Sequence, residues 1–231
     1  MINKQQGNMY EFVTHTWNPI RGKCMHECSY CYMKNIWKRF EKQRELRLDE
    51  KSLKDNLKKD SFIFVGSSTD MFAENVPDEW IIKVLKKCQE YPNNNYLFQS
   101  KNSERMAKFI QLFPSKFMVC TTIETNRDYN ISKAPKPLNR VTGLLKFPRD
   151  CRMVTIEPII DFDLDEMVSM IKNIQPKWVN IGADSNKTHN LLEPSKEKIL
   201  LLINELKKFT KIINKENLSR ILRKDDVIGN T

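Results

Sequence analysis

Thr16-Trp17-Asn18-Pro19-Ile20-Arg21-Gly22-Lys23-Cys24-Met25-His26-Glu27-Cys28-Ser29-Tyr30-Cys31-Tyr32-Met33 is the stretch on which the reading of the fold turns. It sets three cysteines in the pattern C-x3-C-x2-C, with an aromatic, Tyr30, immediately before the last. Three thiolates this close do not complete a structural zinc site, which takes four ligands. They can hold three corners of a [4Fe–4S] cluster. One iron then has no protein ligand, and its open position can bind a small molecule.

Upstream, residues 12–17 alternate as a strand does. Pro19 and Gly22 mark an irregular loop, and residues 32–40 read as the start of a helix. Strand, cysteine loop and helix, in that order, are what a site at the C-terminal end of a barrel strand looks like.

The C-x3-C-x-aromatic-C arrangement after a first strand resembles the signature of the radical S-adenosylmethionine (SAM) superfamily. Thr16-Trp17-Asn18-Pro19 leading to Gly22 and the cysteines, with Ile156-Glu157-Pro158-Ile159-Ile160 further on, resembles a branch found in phages and prokaryotes. Cys28-Ser29-Tyr30-Cys31-Tyr32 is also similar to the motif of the spore photoproduct lyases. The resemblance implies an α/β fold, a partial (βα)6 TIM-like barrel of parallel strands with outer helices. It implies a [4Fe–4S] cluster on Cys24, Cys28 and Cys31, with SAM as the second cofactor. A reductant such as flavodoxin or ferredoxin supplies the electron that cleaves SAM, and the resulting radical takes hydrogen from the substrate.

The remaining chain has the cadence that this fold needs. Strands are expected at 12–17, 61–66, 96–100, 117–122, 152–156 and 178–182. Helical spacing covers 29–44, 49–59, 78–90, 103–112, 135–145, 161–174 and 195–209. Residues 1–11 read as extended or loosely packed, and 211–213 as a short terminal strand. Strand and helix alternate six times, which argues for a parallel sheet with crossover helices. The prediction is one domain over 1–231, with a core at about 12–210 and a basic extension at about 211–231.

Strand ends give the candidate SAM contacts implied by the resemblance. Gly66, Ser67 and Ser68, with Asp70 after them, are placed to hold the methionine amine, since an ammonium needs carbonyl or carboxylate acceptors. Ser67 and Ser68 stand where the superfamily commonly has glycine and an acid. The same run also reads as a capping turn for the next helix. Thr122 and Glu124 are candidates for the carboxylate or ribose, Gly182 and Asp184 for the neighbourhood of the adenine, and Tyr30 for packing against it. Glu157 ends a strand and faces the site; a structural contact to a loop amide is its other reading. His26 and Trp17 flank the cluster, and His26 reads equally as a surface residue.

Composition sets the outer limits. The chain has 231 residues, 40% of them hydrophobic, so a sizeable core is available. No apolar run approaches membrane-spanning length, and residues 1–10 are too polar for a signal peptide, so a cytoplasmic location with no membrane partner is expected. Cys88, Cys120 and Cys151 stand singly in apolar surroundings and read as reduced core residues. The net charge of +10 favours a polyanionic partner, nucleic acid or nucleotide, although a lysine-rich composition gives the same excess without one. The competing function is a zinc- or cluster-containing nucleic-acid-binding protein without catalysis; zinc would need a fourth ligand from His26, His15 or Cys88.

Overall fold

Short apolar runs bounded by turn residues build the sheet of this protein. Its structure, a computed structural model, describes residues 2–5, 9–39, 44–185 and 190–222. The chain opens with β1 (Ile2–Lys4) and β2 (His15–Trp17). A two-stranded antiparallel ribbon, β3 (Ile20–Arg21) and β4 (Arg47–Leu48), then brackets the cysteine loop. The later strands are β5 (Phe62–Val65), β6 (Asn95–Gln99), β7 (Phe117–Thr122), β8 (Arg152–Ile156), β9 (Trp178–Ile181) and β10 (Lys211–Asn214).

The main sheet has the order β1-β2-β5-β6-β7-β8-β9-β10. Every ladder from β2 to β10 is parallel, and only β1 pairs antiparallel, on β2. The helices are α1 (Met33–Arg39), α2 (Glu50–Leu53), α3 (Asp78–Gln89), α4 (Ser103–Lys108), α5 (Pro137–Leu145), α6 (Leu164–Ile174) and α7 (Lys196–Lys207). One crossover joins each parallel strand to the next, which gives the expected (βα)6 core. Among the described residues no ladder joins β1 to β10, so the barrel is partial.

Both ends of the chain join the main sheet. Residues 2–4, within the stretch read as extended or loosely packed, are extended and form the antiparallel edge strand. The short terminal strand expected at 211–213 is β10, which pairs along β9 just past the expected core boundary at about 210, and Leu218 and Leu222 beyond it are buried. Residues 223–231 of the expected basic extension lie outside the described residues, as do 40–43 of the expected helix at 29–44, Glu41 and Lys42 among them.

The helices follow their apolar faces. In α3, Ile81, Val84, Leu85 and Cys88 are buried on one side, with Asp78 and Glu79 in the first turn and Lys86 and Lys87 in the last, complementing the helix dipole. Each fully buried aliphatic side chain of this kind contributes roughly 1.5–3 kcal/mol. Helix α5 meets the start of α4 at Gly143, where a Cβ would fall 2.2 Å from Glu104 N, so only glycine permits that approach.

The aromatic segment before β2 fills the lower barrel. Phe12 lies 4.8 Å from the Phe62 ring on β5 and 5.4 Å from Trp178 on β9. Strands far apart in the sheet therefore converge on one side chain. Tyr10 stacks on Phe12, and its hydroxyl donates to Gln99 Oε1 at 2.8 Å.

Candidate cluster and cofactor site

The cysteine loop runs from β3 to α1. Gly22 has φ +113°, and a Cβ there would lie 2.2 Å from Glu45 O, so the turn requires glycine. Further on, Cys31 N donates to Cys28 O at 3.2 Å and Lys34 N to Cys31 O at 3.0 Å, so the loop winds directly into α1. The T-W-N-P run secures it. Trp17 is buried, with Nε1 donating to Ser52 O. Asn18 Oδ1 accepts from Ser68 N at 3.0 Å and from Ser67 Oγ at 3.2 Å, tying the end of β2 to the turn after β5. Thr69 Oγ1 donates to Gly22 O at 2.8 Å.

His26 is not a surface residue. It is 4% exposed, and its Nε2 lies 3.0 Å from Asp70 Oδ2. Asp70 also accepts from Ser100 Oγ at 2.8 Å, Lys101 N at 2.8 Å and Phe72 N at 3.0 Å. Burial pushes this carboxyl up, but His26, the Lys101 amide and Ser100 outweigh it and hold the group below the usual aspartate range.

Cys24, Cys28 and Cys31 line one cavity of about 530 Å³, a volume in the range of small-molecule sites. Tyr30, Gly66, Ser67, Ser68, Asp70, Thr122, Glu157 and Asp184 line it with them. Burial and the Asp70 charge push the Cys24 thiol up to about 12, and burial raises Cys31. Ligation here has to displace protons. Among the described residues, no three His, Cys, Asp or Glu are grouped to hold a single ion.

Two expected SAM contacts fall outside the lining. Glu124 is 1% exposed and sits behind Tyr30. Its carboxylate accepts from the Tyr30 hydroxyl and, at 2.7 Å, from Arg140 Nη1. The buried Arg140 guanidinium needs a counter-charge, and Glu124 supplies it. Gly182 serves packing: a Cβ there would lie 2.7 Å from Asn217 Oδ1 and 2.9 Å from Glu157 Oε1.

The cavity also has walls that the sequence did not announce. Lys215 Nζ donates to Glu157 Oε2 at 2.7 Å and lies 4.9 Å from the Tyr10 ring centroid, and Asn217 Nδ2 donates to Glu157 Oε1 at 2.8 Å. Gln99 Nε2 donates to Thr122 Oγ1 at 3.2 Å. Lys101 stands two positions past the end of β6 and Lys215 one position past the end of β10. Alternation carried past each strand end would have turned them inward.

Comparison with known proteins agrees with this architecture. A family model described as "Protein of unknown function (DUF5131)" matches residues 8–200. No curated protein matches the chain by sequence. Among solved structures, spore photoproduct lyase complexed with dinucleoside spore photoproduct aligns with a TM-score of 0.56 at 10% identity, over 89% of this chain and 64% of that one. A double mutant of the lyase with bound AdoMet and dinucleoside spore photoproduct gives 0.55 at 10% identity, over 89% and 64%. A Cys-to-Ser mutant gives 0.64 at 9% identity, over 92% and 80%. The chain thus spans just under two thirds of the length of the first two, and what it shares with all three is the fold.

Proposed function

The chain belongs to the DUF5131 family, and we propose that it is a radical SAM enzyme taking hydrogen from a nucleic acid or nucleotide substrate. One observation carries the reading: the three thiols of C-x3-C-x-Tyr-C line a single cavity with the turn after β5, in a fold shared with spore photoproduct lyase. Cys24, Cys28 and Cys31 would hold the [4Fe–4S] cluster. When bound, cluster and SAM supply reductive cleavage of SAM and hydrogen abstraction.

The chain's own residues prepare the site. Asn18 holds the Gly66–Ser68 turn, whose backbone carbonyls are acceptors for an ammonium. Asp70 already takes donors from His26, Ser100 and Lys101, so its part is to position that turn. Glu124 fixes the Tyr30 hydroxyl and so fixes the ring as a wall for a flat ligand. Thr122 and Asp184 offer oxygen acceptors to hydroxyl or amino groups. Tyr10, stacked on Phe12 and bonded to Gln99, gives the cavity an aromatic wall.

The net charge of +10 and the dinucleoside complex of the structural neighbour support a nucleotide substrate. A flavodoxin- or ferredoxin-type reductant and a cytoplasmic location complete the reading; among the described residues no helix is long and apolar enough to cross a membrane. The test is anaerobic reconstitution with iron and sulfide. Iron with a visible cluster band, and 5′-deoxyadenosine formed from SAM on reduction, are expected, with deuterium transfer from substrate identifying the hydrogen removed. One zinc per chain and no SAM cleavage would overturn the reading.

A further inference from the structure

Lys101 follows β6 and is turned into the cavity that the cysteines line. Its backbone N–H donates to Asp70 Oδ2 at 2.8 Å, which anchors it to the carboxylate that also holds His26. Its side chain is 16% exposed, and its ammonium makes no hydrogen bond with the described residues. The nearest carboxylate oxygen, on Glu124, is 3.8 Å away, and Arg140 already matches Glu124 at 2.7 Å. The ammonium instead stands 5.4 Å from the centroid of the Tyr30 ring, inside the cysteine motif. A positive charge so placed, with its carboxylate shared, is built to face an anionic partner.

A [4Fe–4S] cluster on three thiolates is net negative, and one-electron reduction adds a further negative charge. A fixed cation beside it, screened only weakly, favours the reduced form. We propose that Lys101 is a positioning residue for charge, raising the reduction potential of the cluster on Cys24, Cys28 and Cys31 so that a one-electron reductant can charge it. This rests on the radical SAM reading.

The test compares wild type with Lys101→Met, Lys101→Gln and Lys101→Arg after anaerobic reconstitution. Iron per chain and the cluster midpoint, titrated without SAM, are measured. All four proteins are expected to hold the same iron. The Met and Gln variants should need a lower potential, with the reduced-to-oxidised ratio at fixed potential falling about tenfold, or about 59 mV for one electron. Arginine should restore the wild-type midpoint. An unchanged midpoint in iron-loaded Met and Gln variants overturns the inference, as does a midpoint in the Arg variant as low as theirs. Loss of iron from the Met and Gln variants also overturns it, because the role is then retention. A wild-type chain that takes up no iron overturns the parent reading instead, and this inference with it.

Discussion

His26 Nε2 and Asp70 Oδ2 lie 3.0 Å apart, and this contact joins the middle of the cysteine motif to the turn after β5. Asp70 is the common acceptor for His26, Ser100 and Lys101, so the cysteine loop is held against the ends of two parallel strands. Asp70→Ala would strand buried donors on all three. A stability loss of about 3 kcal/mol is expected in urea unfolding, with less iron retained per reconstituted chain.

Cysteine replacement separates ligands from core residues. Cys24→Ser, Cys28→Ser and Cys31→Ser should each remove most of the iron and all SAM cleavage. Cys151→Ala, away from the cavity lining, should keep both. Iron analysis and deoxyadenosine chromatography read the outcome; a motif variant with full iron and activity would contradict the cluster assignment.

Acid should weaken the clamp behind Tyr30. Burial pushes Glu124 up, but Arg140 and then Lys101 hold it below the usual glutamate range. A depressed carboxyl contributes stability that is complete above its unfolded value of about 4.3 and is lost as pH falls through the folded value. Glu124→Gln should therefore cost about 3 kcal/mol at neutral pH, because Arg140 stays buried without its counter-charge. Urea midpoints of wild type and variant should draw together as pH drops below about 4.

The charge excess gives a separate handle on the substrate. Binding of a short DNA or RNA oligonucleotide, followed by fluorescence anisotropy, should weaken at least tenfold between about 50 and 200 mM salt. Lys38 and Arg39, in the last turn of α1, are the cations to test. Salt-independent affinity, or none at low salt, would favour a small-molecule substrate.

The parallel strands were legible because each is a compact apolar run between breakers: residues 117–122 and 152–156 match β7 and β8 residue for residue. Strand β1 left no such trace, since Ile2-Asn3-Lys4 has one apolar residue and earns its place only by pairing with β2. The cysteine loop was legible because all three of its cysteines lie in one short segment. The fates of Glu124 and Gly182 were not. Arg140, Asn217 and Glu157 reach them from distant parts of the chain, and no local pattern encodes such pairings. His26 misled for the same reason, its partner being 44 positions away.

Tyr10 lines the cavity and stacks on Phe12, whose ring meets Phe62 of β5 and Trp178 of β9, so two strands distant in the sheet meet beneath the cavity. A polymer too large for the chamber has to stay outside and offer only the group to be altered. On the proposed radical SAM reading, cofactor and substrate group would share that one cavity.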